Sequence, residues 1–93
     1  MRKITREAAA ALREGRSYSN SNTTVTSTGG EPTLYLHGSP IARRTDKGVM
    51  ITTAGYNTVT TRERLSPFAG VHTRKGQLMI DGVPWDGAWR LAE

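Results

Sequence analysis

Thr58-Val59-Thr60-Thr61-Arg62-Glu63-Arg64-Leu65-Ser66-Pro67, running on to Gly70-Val71 and then to Gln77-Leu78-Met79-Ile80-Asp81-Gly82, is the stretch that decides the fold. The spacing Thr60-Thr61-Arg62-Glu63 predicts a capping box, with Thr60 as N-cap and Glu63 returning a bond from the third helical position. Pro67 disfavours the helical conformation at the residue before it, so this helix ends by Ser66. Leu65 and Phe68 are its expected core anchors. Beyond it, Val71 to Lys75 and Gln77 to Asp81 predict a hairpin over Lys75-Gly76, and Asp81-Gly82 predicts a type I′ turn. The second half therefore reads as a strand ending near Thr53, a short helix and a closing hairpin.

Working back toward the start, Ile4 to Glu14 predicts a first helix, with Thr5 as N-cap, Glu7 in the first turn and Gly15 as the stop. Its apolar stripe of Ile4, Ala8, Ala11 and Leu12 is narrow, which suits close packing on a sheet. Arg16 to Asn22 is rich in Ser and Asn and reads as a loop. Thr23 to Thr28 reads as a strand, and Gly29-Gly30-Glu31-Pro32 as a turn. In Thr33 to His37, Leu34 and Leu36 face one side while Thr33, Tyr35 and His37 face the other. Gly38-Ser39-Pro40 turns the chain into a strand from Ile41 to Thr45. Asp46-Lys47-Gly48 then leads to a strand from Val49 to Thr53. Near the end, Trp85 and Trp89 can stack only if the tail is helical, which Gly87 disfavours.

The expectation is one α+β domain over residues 1–93. An antiparallel meander carries the first helix on one face, and a second short helix precedes a C-terminal hairpin. The expected core is Leu34, Leu36, Ile41, Ile51, Leu65, Phe68, Val71, Leu78, Ile80 and Trp85.

Composition narrows the function classes. The chain has 93 residues and no cysteine, which excludes disulfides and thiolate metal sites. Its two histidines, His37 and His72, stand in no recognised ligand spacing, so no metal and no cofactor is expected. No apolar run approaches the roughly 20 residues of a membrane span, and no secretory signal is read. The net charge of +5 attracts polyanions.

Thr53-Ala54-Gly55-Tyr56, Thr60 through Leu65, Gly70-Val71, Asp81-Gly82 and Trp85-Asp86-Gly87, together with Leu36-His37-Gly38 and Ile41-Ala42, resemble a group of small uncharacterised tailed-phage (or prophage) accessory proteins. That group usually has asparagine and tryptophan where this chain has Thr53 and Tyr56. The matching residues are mostly turn glycines and core aromatics, so the resemblance implies a shared fold and a phage origin. It also implies a setting in the bacterial host cytoplasm. It carries over no functional residues.

The leading functional expectation is a non-enzymatic protein that binds nucleic acid without sequence preference. Arg43, Arg44 and Lys47 around one hairpin and Arg74 and Lys75 at another tip are the candidate phosphate contacts. Arg43 and Arg44, adjacent in a strand, are expected to point to opposite faces. The alternative is a host-protein inhibitor, with Tyr56 and Trp89 as candidate interface anchors. A third reading, cleavage of RNA by His37 and His72 with arginine support, requires both imidazoles on one face. Asp81 and Asp86 read as turn formers. An open sheet edge would also allow a homodimer.

Overall fold

The computed structural model describes residues 1–27 and 30–93. In chain order the elements are α1 (Lys3–Glu14), β1 (Tyr18–Asn20), β2 (Thr23–Thr26), β3 (Thr33–Leu36), β4 (Ser39–Thr45), β5 (Gly48–Ile51), α2 (Val59–Leu65), β6 (Val71–Arg74), β7 (Gln77–Ile80), β8 (Val83–Pro84) and β9 (Arg90–Leu91). They form a six-stranded sheet of order β1-β2-β3-β4-β5-β9 and a three-stranded sheet β6-β7-β8. Every neighbouring pair is antiparallel. The fold is α+β, as the sequence pattern predicts.

The core follows from register. Val25, Leu34, Ala42 and Ile51 are successive cross-strand partners, so they share one face, and all four are buried. Ala8, Ala9, Ala11 and Leu12 of α1 close over that face, the alanines allowing near approach. The register shifts between Leu34, which faces Ala42, and Tyr35, which faces Pro40. That bulge leaves Ile41 without a partner and turns both Ile41 and Ala42 into the core, against the alternation of a regular strand. Leu65 and Phe68 bring α2 into the same core, with Val71, Leu78, Ile80 and Trp85 of the second sheet and its exit. All ten predicted core residues are buried.

Both helix starts differ from the capping patterns. α1 begins at Lys3 behind Arg2, which makes no side-chain cap. Thr5 sits inside the helix and is buried, because its hydroxyl is committed to Glu63 and Arg64. In α2 the cap is Thr58, whose hydroxyl accepts from the Thr61 amide at 3.1 Å, not Thr60. Glu63 therefore falls two residues past the capping-box position, and its carboxylate serves Thr5 instead. Thr58→Ala is expected to lower stability by about 1 kcal/mol, read by urea unfolding.

The strands are also redistributed. β1 lies where a loop was expected, since Tyr18, Ser19 and Asn20 pair with Val25, Thr24 and Thr23, and the Tyr18 hydroxyl donates to Glu7. His37 and Gly38, with φ of 50° and 81°, form the turn between β3 and β4. Ser39 and Pro40 therefore belong to the strand, and His37 is a turn residue, not an outward strand residue. Pro40 is tolerated beside the bulge. The next strand stops at Ile51: the Thr52 amide still donates to the Ile41 carbonyl at 2.9 Å, but the Thr52 hydroxyl and the Thr53 amide turn to the tail. The Thr52 hydroxyl donates to the Gly87 carbonyl at 2.6 Å and the Thr53 amide to the same oxygen at 3.0 Å. The tail from 85 to 91 is not helical, turns at Gly87 and adds β9 to β5, so the two tryptophans do not stack as a helix would place them. The expected strand end at Thr28 and the start of the turn at Gly29 lie outside the described residues.

Candidate functional site

α1 covers one face of the six-stranded sheet, and no helix among the described residues lies on the other. Register places Thr24, Tyr35 and Pro40 in one row of that open face, and Thr33, Arg43, Met50 and Leu91 in the next. Trp89, 42% exposed, stands beside them at the mouth of β9. The Arg43 guanidinium lies 5.3 Å from the centroid of the Trp89 ring, and its Nε donates to Thr33 Oγ1 at 3.4 Å. A cation over an indole at this distance is an attractive contact. It fixes a half-exposed cation and an exposed indole side by side, one row from Tyr35 on the same face. This surface can stack a planar group and hold a phosphate together.

The other candidate cations disperse. Arg44 points to the opposite face, as alternation predicts. Its Nη1 donates to the Arg13 carbonyl at 2.6 Å, completing the end of α1. Lys47 is exposed in the β4–β5 turn. Arg74 and Lys75 are exposed at the β6–β7 tip, which belongs to the smaller sheet. The five cations thus form no single groove, and Arg43 is the one joined to an aromatic.

Tyr56 is exposed in the loop before α2 and lines a cavity of about 240 Å³ with Leu36, Ile41 and Thr61. Val59, on the first turn of α2, is more exposed still. His37 also borders this cavity, whereas His72 is exposed on β6 with its Nδ1 3.1 Å from the Gly70 carbonyl. The two imidazoles occupy different sheets. Asp81 accepts from the Gly70 amide at 2.9 Å and Asp86 from the Ala88 amide at 3.0 Å, both as turn formers. Among the described residues no three His, Cys, Asp or Glu side chains cluster as a metal site would require.

Sequence reading missed Arg64. It is only 2% exposed, and its guanidinium donates to Thr23 Oγ1 and Thr5 Oγ1, each at 3.0 Å, and to Asn22 Oδ1 at 3.5 Å. Burial holds its pKa below the ordinary arginine value; repulsion from Arg2 adds to this and Glu63 opposes it. The available signal was positional. Thr61, Arg64 and Leu65 share one helical face, and Leu65 assigns that face to the core.

The family model described as Kyanoviridae Gp96 protein matches residues 1–90 of the chain. No curated protein and no solved structure matches it significantly. Among the described residues no helix is long and apolar enough to cross a membrane.

Proposed function

We propose that this chain, which belongs to the Kyanoviridae Gp96 protein family of tailed phages, acts by binding and not by catalysis, and that its partner is nucleic acid held without sequence preference. The observation that supports this reading is the open sheet face on which Arg43 and Trp89 are packed together, one row from Tyr35. A base stacks on the exposed indole surface, which is sequence-tolerant because every base presents a π-face. Arg43 meets the adjoining phosphate, and the net charge of +5 draws the polyanion in. Its place of action is then the cytoplasm of the infected bacterium.

Fluorescence anisotropy of a labelled single-stranded oligonucleotide tests this. Binding should weaken as salt rises, with a log–log slope of about −0.7 for each phosphate engaged. Trp89→Ala should weaken it by about tenfold, within the range for loss of one stacked base. Arg74→Ala, on the separate sheet, should have little effect. No binding at low salt, or binding indifferent to Trp89, would sink the proposal.

The cavity lined by Tyr56 favours a second reading, a host protein bound through an aromatic or aliphatic anchor. Such an interface would be far less sensitive to salt and would respond to Tyr56→Ala instead of Trp89→Ala.

A further inference from the structure

The cleft between the start of α1 and the β1–β2 turn gathers cations around a buried arginine. It measures about 420 Å³ and is lined by Arg2, Lys3, Asn20, Asn22, Thr60 and Arg64. Arg64 is the buried cation at its base. Its three hydrogen bonds all go to uncharged oxygens. The nearest carboxylate, Glu63, is 3.9 Å from Nη1, beyond hydrogen-bond reach, and already accepts from the Thr5 hydroxyl. A buried charge is normally compensated by a hydrogen-bonded partner of opposite sign. A guanidinium has five N–H groups, and these bonds use three of them.

The surroundings reinforce this. The first turn of α1 holds no acidic residue, although the helix dipole favours one there. Arg2, Lys3 and Arg6 stand there instead, and Arg2 makes no side-chain cap over the first-turn amides. Arg13 and Arg16, by contrast, pair with Glu93 and Glu14, each at 2.7 Å. At this end of α1 Glu63 opposes the positive field at the cleft, and Glu7 accepts from the Tyr18 hydroxyl.

We propose that this cleft binds a phosphate group, with the Arg64 fork at its base, Arg2 and Lys3 at its rim and the leading amides of α1 completing the coordination. Planar guanidinium forks match phosphate oxygens bidentately, and helix N-termini accept anions. The volume lies within the roughly 300–1,000 Å³ usual for small-ligand sites, so the phosphate can be part of a nucleotide. This assignment is independent of the sheet face, because Arg43 and Trp89 take no part in it.

Titration with inorganic phosphate against chloride at matched ionic strength, followed by ¹H–¹⁵N NMR, tests the site. The Arg64 Nε–H and the amides of Lys3 and Ile4 should shift saturably, with a Kd of about 1 mM or tighter. The double variant Arg2→Glu, Lys3→Glu alters only exposed side chains and should weaken binding at least tenfold. Arg64→Lys keeps the charge but loses the fork and should weaken it as well. Trp89→Ala should leave phosphate binding unchanged, which separates this site from the sheet face. A 5′-mononucleotide, and oligonucleotides with and without a 5′-phosphate, identify the source. Tighter binding of the mononucleotide points to a free nucleotide, and tighter binding of the phosphorylated oligonucleotide to a strand end. Absence of a saturable shift at Arg64, or unchanged affinity in the double variant, would overturn the proposal.

Discussion

Arg64→Ala should destabilise the protein by about 3 kcal/mol, because it leaves buried hydroxyls unsatisfied, at about 1–3 kcal/mol each, and opens a cavity. With a urea m-value of about 1 kcal/mol per molar for a small domain, the unfolding midpoint should fall by about 3 M. The reason is position as much as charge. Arg64 is the side chain through which α2 grips both Thr5 of α1 and Thr23 of β2. Removing it leaves two buried hydroxyls short of a donor and opens a cavity between three elements. A compensated variant separates these contributions. Arg64→Met combined with Thr5→Val and Thr23→Val replaces the polar network by apolar groups of similar size, which is often neutral or stabilising. It should recover much of the lost stability and still fail to bind phosphate. If Arg64→Ala shifts the midpoint by less than a few tenths molar, the guanidinium does not hold these elements together.

Gly87→Ala should cost about 2–3 kcal/mol and also disturb the open sheet face. Gly87 has φ of +86°, and a Cβ there would lie 2.3 Å from Thr53 Oγ1. The left-handed conformation alone costs a side-chain residue roughly 1–2 kcal/mol. The clash adds to it, because Thr53 cannot retreat without loosening the bonds that Thr52 and Thr53 make to the Gly87 carbonyl. Those bonds set the path of the tail that carries Trp89 to Arg43. The tryptophan emission should therefore change, and oligonucleotide affinity should fall with stability. Gly55 supplies the control. It also has φ of +86°, but nothing lies within 4 Å of its Cβ position, so Gly55→Ala should show the conformational part alone. Equal losses at the two positions would mean that the contact with Thr53 does not matter.

The parts of the fold that were legible in the sequence are those written in local chemistry. Lys75-Gly76 and Asp81-Gly82 adopt the paired positive φ angles of type I′ turns, Gly15 ends α1 in the left-handed conformation, and Leu34 and Leu36 face the core. What was not legible depends on partners distant along the chain. Thr5 and Thr60 both satisfy the composition of an N-cap, yet Thr5 is claimed by residues 58 and 59 positions later. β1 contains no strand-like pattern of its own and exists because β2 pairs with it. The bulge at Ile41 reverses the expected alternation by one residue, which no periodicity in the chain records. Of the candidate site, the separation of Arg43 from Arg44 followed from strand geometry, whereas the meeting of Arg43 with Trp89, 46 positions away, required the tail to return as β9. Arg64 stayed hidden because an arginine in a short helix is ordinarily a solvated residue.

The return of the tail also dictates an order of events during synthesis. β5 acquires its outer neighbour only when Arg90 and Leu91 have been made, and α1 and β2 lack their shared guanidinium until Arg64 has been made. A nascent chain that has emerged only as far as Ile51 therefore carries most of the larger sheet with the β5 edge unpaired and its helix without the Arg64 link. Contacts so far apart in sequence slow folding, since loop closure must precede the interactions that reward it. The larger sheet therefore completes after, not during, emergence of its first five strands from the ribosome.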